Sequence, residues 1–217
     1  MREYFDNELQ QLNDDLSDMA DTTYKMIKIA LDNIVNFNEN ELSNVKQLFD
    51  KVVRKEKYIE SECMKLLLLQ QPVASDLRQI SSIMKMINDL QRIGDQVENI
   101  AEILEITSKT CLSKDDLVLD MANITSGMLK DSISSFINKD LSLAKDVIKR
   151  DDKVDDDFNT IKSQLINIIH EYKNDGEYII DILMCAKYFE KIGDHCVNIA
   201  KWTIYYLTGS HNIKNEE

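Results

Sequence analysis

The chain has 217 residues, 43% of them apolar, a formal net charge of −13, one proline and five glycines. That balance indicates an all-helical globular protein of one domain or two small ones, and it disfavours nucleic acid, whose phosphates need clustered lysine and arginine. It disfavours an anionic membrane surface on the same ground; a cation or a basic partner surface suits the charge better.

The elements follow from apolar spacing. From about Glu3 to Phe37, Leu9, Leu12, Leu16, Met19, Thr23, Met26, Ile27, Ala30 and Ile34 recur every three or four positions, which predicts an amphipathic helix. Asn36 to Asn40 is an asparagine-rich break. A second helix runs from about Glu41 to Gln70, with Leu42, Val45, Leu48, Val52, Ile59 and Cys63 facing inward, and Pro72 ends it. Ser75 is the expected cap of a third helix, with Asp76 favourable in its first turn, and that helix runs to about Ser108. The segment Lys109 to Ser113 reads as a boundary, and Ser113 with Asp116 as the next cap. A fourth helix spans about Lys114 to Ile137 and a fifth Leu141 to about Tyr172. The turn Asn174-Asp175-Gly176 leads into a sixth, Glu177 to Leu207, and the polar tail from Thr208 is expected to fray.

The start Met1-Arg2-Glu3-Tyr4-Phe5-Asp6 has no apolar signal-peptide core, and the run Leu66 to Leu69 falls far short of the roughly 20 apolar residues of a membrane span. A cytosolic, soluble protein is expected. Cys63, Cys111, Cys185 and Cys196 lack metal-knuckle spacing and read as reduced and inert.

One pattern occurs twice. Arg92-Ile93-Gly94-Asp95, followed by Asn99-Ile100-Ala101, returns as Lys191-Ile192-Gly193-Asp194, followed by Asn198-Ile199-Ala200. Glycine costs about 1 kcal/mol in a helix interior, so its repetition predicts close helix approach at Gly94 and Gly193. Asp18-Met19-Ala20 matches Asp120-Met121-Ala122, and Thr23, Met26 and Lys28 match Thr125, Met128 and Lys130 at the same offset. Lys55-Glu56-Lys57 reads as a charged counterpart of Arg150 to Lys153. These matches predict a duplicated unit: two elongated three-helix bundles, over residues 1–109 and 110–217.

Positions four apart share a helix face. Glu190, Asp194 and Asn198 therefore form an oxygen-bearing stripe, with Gln91, Asp95 and Asn99 as its counterpart. Asp151 and Asp155 have the same spacing on the fifth helix, and Glu56 and Glu60 on the second. If the fifth and sixth helices pack together, Asp151, Asp155, Glu190 and Asp194 converge. Charges about 6 Å apart repel by on the order of 3 kcal/mol per pair at an effective dielectric of 20. Protonation, separation or a hard cation such as Mg, Mn or Fe relieves that. The plainer reading, a solvated acidic face, is preferred for Asp156 and Asp157. His170, His195 and His211 lack carboxylates at ligand spacing and read as surface or satisfied residues; no Glu-x-x-His pair, catalytic triad or phosphate-cradling loop is present. Trp202, Tyr205 and Tyr206 suit core packing better than partner anchoring.

Several of these segments resemble the PhoU family. Gln71-Pro72-Val73-Ala74-Ser75-Asp76-Leu77-Arg78 is similar to the family's segment opening the third helix. The two Ile-Gly-Asp stretches resemble its paired Glu-Arg-Ile-Gly-Asp motifs, and Asp151 to Asp155 its fifth-helix motif. The ending Ile204-Tyr205-Tyr206-Leu207-Thr208-Gly209 also fits. The resemblance implies two three-helix bundles, often dimeric, without catalytic activity. It implies a cytosolic negative regulator of phosphate uptake that contacts the importer's ATPase subunit and a sensor histidine kinase, attached to the membrane only through those proteins. It also implies metal at Glu190, Asp194, Asp151, Asp155, Asp95, Glu56 and Glu60, with iron among the metals. Gln91 stands where the family has an acid and Lys191 where it has arginine, so the first-half site is expected to be the weaker. The other readings are a carboxylate-bridged metalloenzyme and a metal-storage protein without signalling partners.

Overall fold

A computed structural model describes residues 2–69, 72–107, 116–171 and 176–210. Among the described residues are six long helices and one short one: α1 (Arg2–Val35), α2 (Glu39–Leu42), α3 (Asn44–Leu69), α4 (Ala74–Thr107), α5 (Asp116–Ile137), α6 (Leu141–Glu171) and α7 (Gly176–Thr208). No strand occurs among the described residues. The boundary at Lys109 to Ser113, the Ser113 cap, Cys111, the turn residues Asn174 and Asp175, and His211 lie outside them.

The stripe read for the first helix is the buried face of α1: all nine of its residues are buried. The 36–40 break is smaller than expected, because Asn38 opens the single turn of α2, whose backbone bonds return to its carbonyl. Ser75 does not cap α4. That helix begins one residue earlier, with Leu77 N–H donating to the Val73 carbonyl, while the Ser75 hydroxyl turns to Asp76. At the α5–α6 corner Lys139 takes a left-handed backbone (φ 56°), and Asp140 caps α6 by accepting from Leu143 N–H at 3.0 Å. Gly209 ends α7 the same way, at φ 74°, where an L residue would be strained.

The duplication is visible in the packing. α3 lies on α1 and α4, and α6 lies on α5 and α7. Buried Thr23 and Thr125 each return a hydroxyl to the carbonyl one turn back, Met19 at 3.0 Å and Met121 at 2.8 Å. The two units share one apolar core, joined mainly where α4 meets α7 and also where α1 meets α5. Bonds that stitch the α4–α7 seam include Arg78 Nε to the Tyr206 carbonyl (3.3 Å), the Ser82 hydroxyl to the Trp202 carbonyl (3.3 Å), and His195 Nδ1 to Asp89 Oδ1 (2.9 Å). Their partners step in opposite directions, so the helices are antiparallel, and α3 and α6 are left as the outer helices. Tyr206 is core: its ring meets Phe136 at 5.2 Å and its hydroxyl donates to Gln79 Oε1 at 3.1 Å.

Candidate functional site

Gly193 sets the spacing between α6 and α7. A Cβ added there would stand 2.6 Å from Asp151 Oδ1 and 3.6 Å from a Val154 methyl. The missing side chain is the space the Asp151 carboxylate occupies. Asp155, Glu190 and Asp194 gather around it. Burial first, then the charges of Asp155, Asp194 and Glu190, push the Asp151 carboxyl up to about 6. Asp155 is raised too, by burial first and then by Glu190 and Asp194. The four acids thus converge as the i, i+4 spacing on two helices requires.

Two lysines answer part of that charge. Lys187 Nζ lies 2.7 Å from Glu190 Oε2, and Lys191 Nζ lies 2.6 Å from Asp194 Oδ2 and 3.4 Å from Glu190 Oε2. Glu190 Oε2 is enclosed; the Lys187 ammonium attracts it electrostatically from a direction unsuited to a hydrogen bond. Lys187 also sits 5.0 Å from the centre of the Phe158 ring. The spacing signal for these lysines was in the sequence, since each precedes its acid by three residues. Asp151 and Asp155 have no ion pair among the described residues. With the side chains so placed, no three acids, histidines or cysteines among the described residues are arranged to ligate one ion. The donors suit a hard cation, and the lysines hold two of the four acids.

Asn198 does not join this cluster. Four residues advance a helix face by about 40°, and Asn198 turns to α4, donating to Asp89 Oδ1 at 3.3 Å. His195 is a satisfied residue at that seam, as its position predicts. Asp157 departs from the solvated reading: it is 3% exposed, paired with Lys153, and its Oδ2 has no hydrogen-bond partner. Cys63, Cys185 and Cys196 are free and buried; burial drives each thiol up, to about 12 for the first two.

The first half is built differently. The Cβ position of Gly94 faces Phe49, with ring carbons at 2.9 and 3.1 Å. Phe49 therefore stands where Asp151 stands in the second half. The sequence carries this register, at the same offset as the Thr23–Thr125 match: Phe49-Asp50-Lys51-Val52-Val53 aligns with Asp151-Asp152-Lys153-Val154-Asp155. Val52 and Val154 are both buried. The counterpart of Asp151 to Asp155 is thus not the 55–57 stretch. Glu56 and Glu60 lie about 10 and 16 Å beyond Phe49 along α3, at 1.5 Å per residue. The Glu56 carboxyl is raised by burial and then by Glu60, a local effect. Asp95 instead lies near Glu98, whose carboxyl is raised by burial and Glu102, with Lys46, Asp95 and Asp50 acting more weakly. Asp95, Glu56 and Glu60 are not brought together.

The fold and site define a duplicated six-helix scaffold that carries one acidic cluster on its second unit. No helix among the described residues is long and apolar enough to cross a membrane. The chain belongs to the PhoU family: the PhoU domain matches twice, over residues 16–104 and 118–203. It is similar to the phosphate-specific transport system accessory protein PhoU homolog of Clostridium acetobutylicum, 32% identical over 212 residues and covering 96% of each chain. The homolog of Aquifex aeolicus is 32% identical, covering 93% of this chain and 92% of that one. The crystal structure of PhoU from Pseudomonas aeruginosa superposes with a TM-score of 0.90 at 27% identity, covering 95% of this chain and all of that one. The Streptococcus pneumoniae PhoU structure, at 22% identity and a TM-score of 0.88, shares the fold.

Proposed function

We propose that this chain is an accessory regulator of phosphate-specific transport that acts by binding other proteins, restraining uptake when phosphate is plentiful. The observation that carries the reading is the two-domain likeness, over 96% of the chain, to proteins named phosphate-specific transport system accessory proteins. The finer reading follows the family resemblance. The chain meets the importer's ATPase subunit and a sensor histidine kinase from the cytosol, as a homodimer, and is held at the membrane only through them. The acidic α6–α7 face suits a basic partner surface.

The same reading gives the α6–α7 cluster a hard cation, Mg, Mn or Fe. Its support is that Asp151 and Asp155 have no ion pair among the described residues, Lys187 acting on Asp155 only as the weakest of several charges. Asp151, Asp155, Glu190 and Asp194 are the residues that would hold the ion, which would supply charge neutralisation and a fixed distance between two helices. A metalloenzyme is less well supported, because the Glu-x-x-His pairs of carboxylate-bridged iron centres are missing from the sequence.

The test is phosphate uptake in phosphate-replete cells lacking this chain, together with binding of the purified chain to the purified importer ATPase subunit and kinase. Uptake should rise and be restored by the parent gene. Unchanged uptake with no binding to either protein sinks the proposal.

A further inference from the structure

We propose that the groove between α1 and α3 binds a phosphoryl-bearing small anion, gripped by Lys51 and Arg54. The site belongs to the first unit, away from the α6–α7 acids, and does not rest on the cation reading. The groove is an open concavity of about 520 Å³, and its lining includes Lys51, Arg54, Lys55, Thr22, Tyr58 and a single acid, Asp18. Three cations around one concavity stand out in a chain of net charge −13, because such a chain repels anions except where positive charge is concentrated.

The three cations are not equally committed. Lys55 is taken: its ammonium lies 2.8 Å from Asp15 and 3.0 Å from Asp18. Lys51 and Arg54 have no ion pair or hydrogen bond among the described residues. Two unspent cations at one groove remain available to a ligand. Arg54 offers a planar fork of donors and Lys51 a mobile point charge, the pairing that suits a tetrahedral oxyanion. Tyr58 adds a hydroxyl and a half-exposed ring, with the Lys55 ammonium 5.9 Å from its centre, whereas the Thr22 hydroxyl is already given to the Asp18 carbonyl at 2.9 Å. The volume is ample for a phosphate alone and sufficient for a nucleotide.

The duplication supplies an internal control. The register that pairs Phe49 with Asp151 puts Asp156 opposite Arg54 and Asp157 opposite Lys55. Lys51 keeps a lysine, Lys153, as its counterpart, so the change of sign is confined to Arg54 and Lys55. Of the two unspent cations, Arg54 alone is therefore particular to the first unit.

The experiment is titration calorimetry on the full chain with pyrophosphate, ADP and adenosine. Saturable, salt-sensitive binding of pyrophosphate or ADP is expected, with none for adenosine. Tighter binding of ADP identifies a nucleotide as the source of the phosphoryl group, and equal binding identifies an inorganic one. Lys51→Gln with Arg54→Gln should weaken binding about tenfold or more. Lys149→Gln with Lys162→Gln, which removes the same charge from α6, should leave it unchanged. Circular dichroism should show both variants folded, since Lys51 and Arg54 have no partners to lose. Absence of saturable binding by pyrophosphate and ADP overturns the proposal. So does equal weakening in the α6 control, or a Lys51/Arg54 variant that binds as the parent does. A variant that leaves binding intact but dissociates a dimer in sedimentation would mark the groove as a protein contact and also overturn it.

Discussion

Asp151 places a carboxylate oxygen where the first side-chain atom of residue 193 would otherwise be, 2.6 Å from an added Cβ. The glycine and the acid are one feature: the acid can be enclosed between α6 and α7 because the glycine yields the room. The corresponding pair in the first half, Gly94 and Phe49, uses the same space for an aromatic ring.

Substitution at the two glycines should therefore differ. Gly193→Ala meets the end of a short side chain that can rotate away, and alanine gains about 1 kcal/mol of helix propensity. We expect it to be close to neutral in urea unfolding. Gly94→Ala presses on a packed ring, and a net loss on the order of 1 kcal/mol is expected. Gly193→Leu reaches Val154 and Thr125 as well and should cost about 1–3 kcal/mol by overpacking. A Gly193→Leu protein as stable as the parent would show that the glycine is not a packing site.

How much of this was legible depends on the residue. The six long helices were, because apolar spacing reports the buried face of each one. The pairing of Asp151 with Glu190 and Asp194 was, because spacing plus one packing assumption suffices. The first-half site was misplaced. Glu56 and Glu60 share a helix face, but their level along α3 depends on how it docks against α4. The buried Val52 and Val154 supply that register, and their flanking residues differ so much in polarity that likeness of charge pointed to the wrong stretch. The α4–α7 seam was not legible either, because His195 and Asp89 lie 106 positions apart and no local pattern joins them. The Asn198 face was read from four-residue spacing, which ignores the drift that carries it to that seam.

The acidic cluster should make stability fall as pH rises. Asp151 titrates near 6 in the folded chain, against an ordinary value of 3.8. Between those values the folded state holds a proton that the unfolded state has released, so the slope of unfolding free energy with pH is negative. The effect is complete above about 6 and vanishes below about 4. The carboxyl is partly screened by water, so its size is on the order of 1 kcal/mol. Asp151→Asn should raise stability at pH 7 and flatten the parent-minus-variant difference above about 6. A difference that does not change between pH 4 and 7 contradicts the enclosed carboxylate.

Cation binding should follow the charge left unanswered. Added Mn, Mg or Fe should raise the melting temperature of the parent, by mass action worth about 2.7 kcal/mol at a hundredfold excess over the dissociation constant. Glu190→Gln with Asp194→Asn should remove most of that shift, and Lys191→Met should enlarge it by removing a competing ammonium. Gln91→Glu should add nothing, because the residue opposite Gly94 is Phe49 and not an acid. An equal shift in the parent and the Glu190/Asp194 variant would leave the cluster a solvated face.

The last prediction concerns the joint between the two units. His195 Nδ1 lies 2.9 Å from Asp89 Oδ1, with both side chains largely shielded from water. A carboxylate only accepts, so Nδ1 must carry the hydrogen, and that fixes the imidazole tautomer. The same Asp89 oxygen accepts from Asn198 at 3.3 Å, so one acid on α4 ties two residues of α7. A hydrogen bond to a charged group contributes about 1.5–3 kcal/mol, and the remaining Asn198 contact should soften the loss of histidine alone. His195→Ala should therefore cost less than Asp89→Ala, which leaves both α7 donors unpaired. A double-mutant cycle at neutral pH should give a coupling of about 1 kcal/mol between Asp89 and His195. Because the pair joins two units around one core, the loss should appear in a single cooperative unfolding transition. A coupling below about 0.3 kcal/mol, the noise of such cycles, would show that apolar packing alone sets the α4–α7 seam.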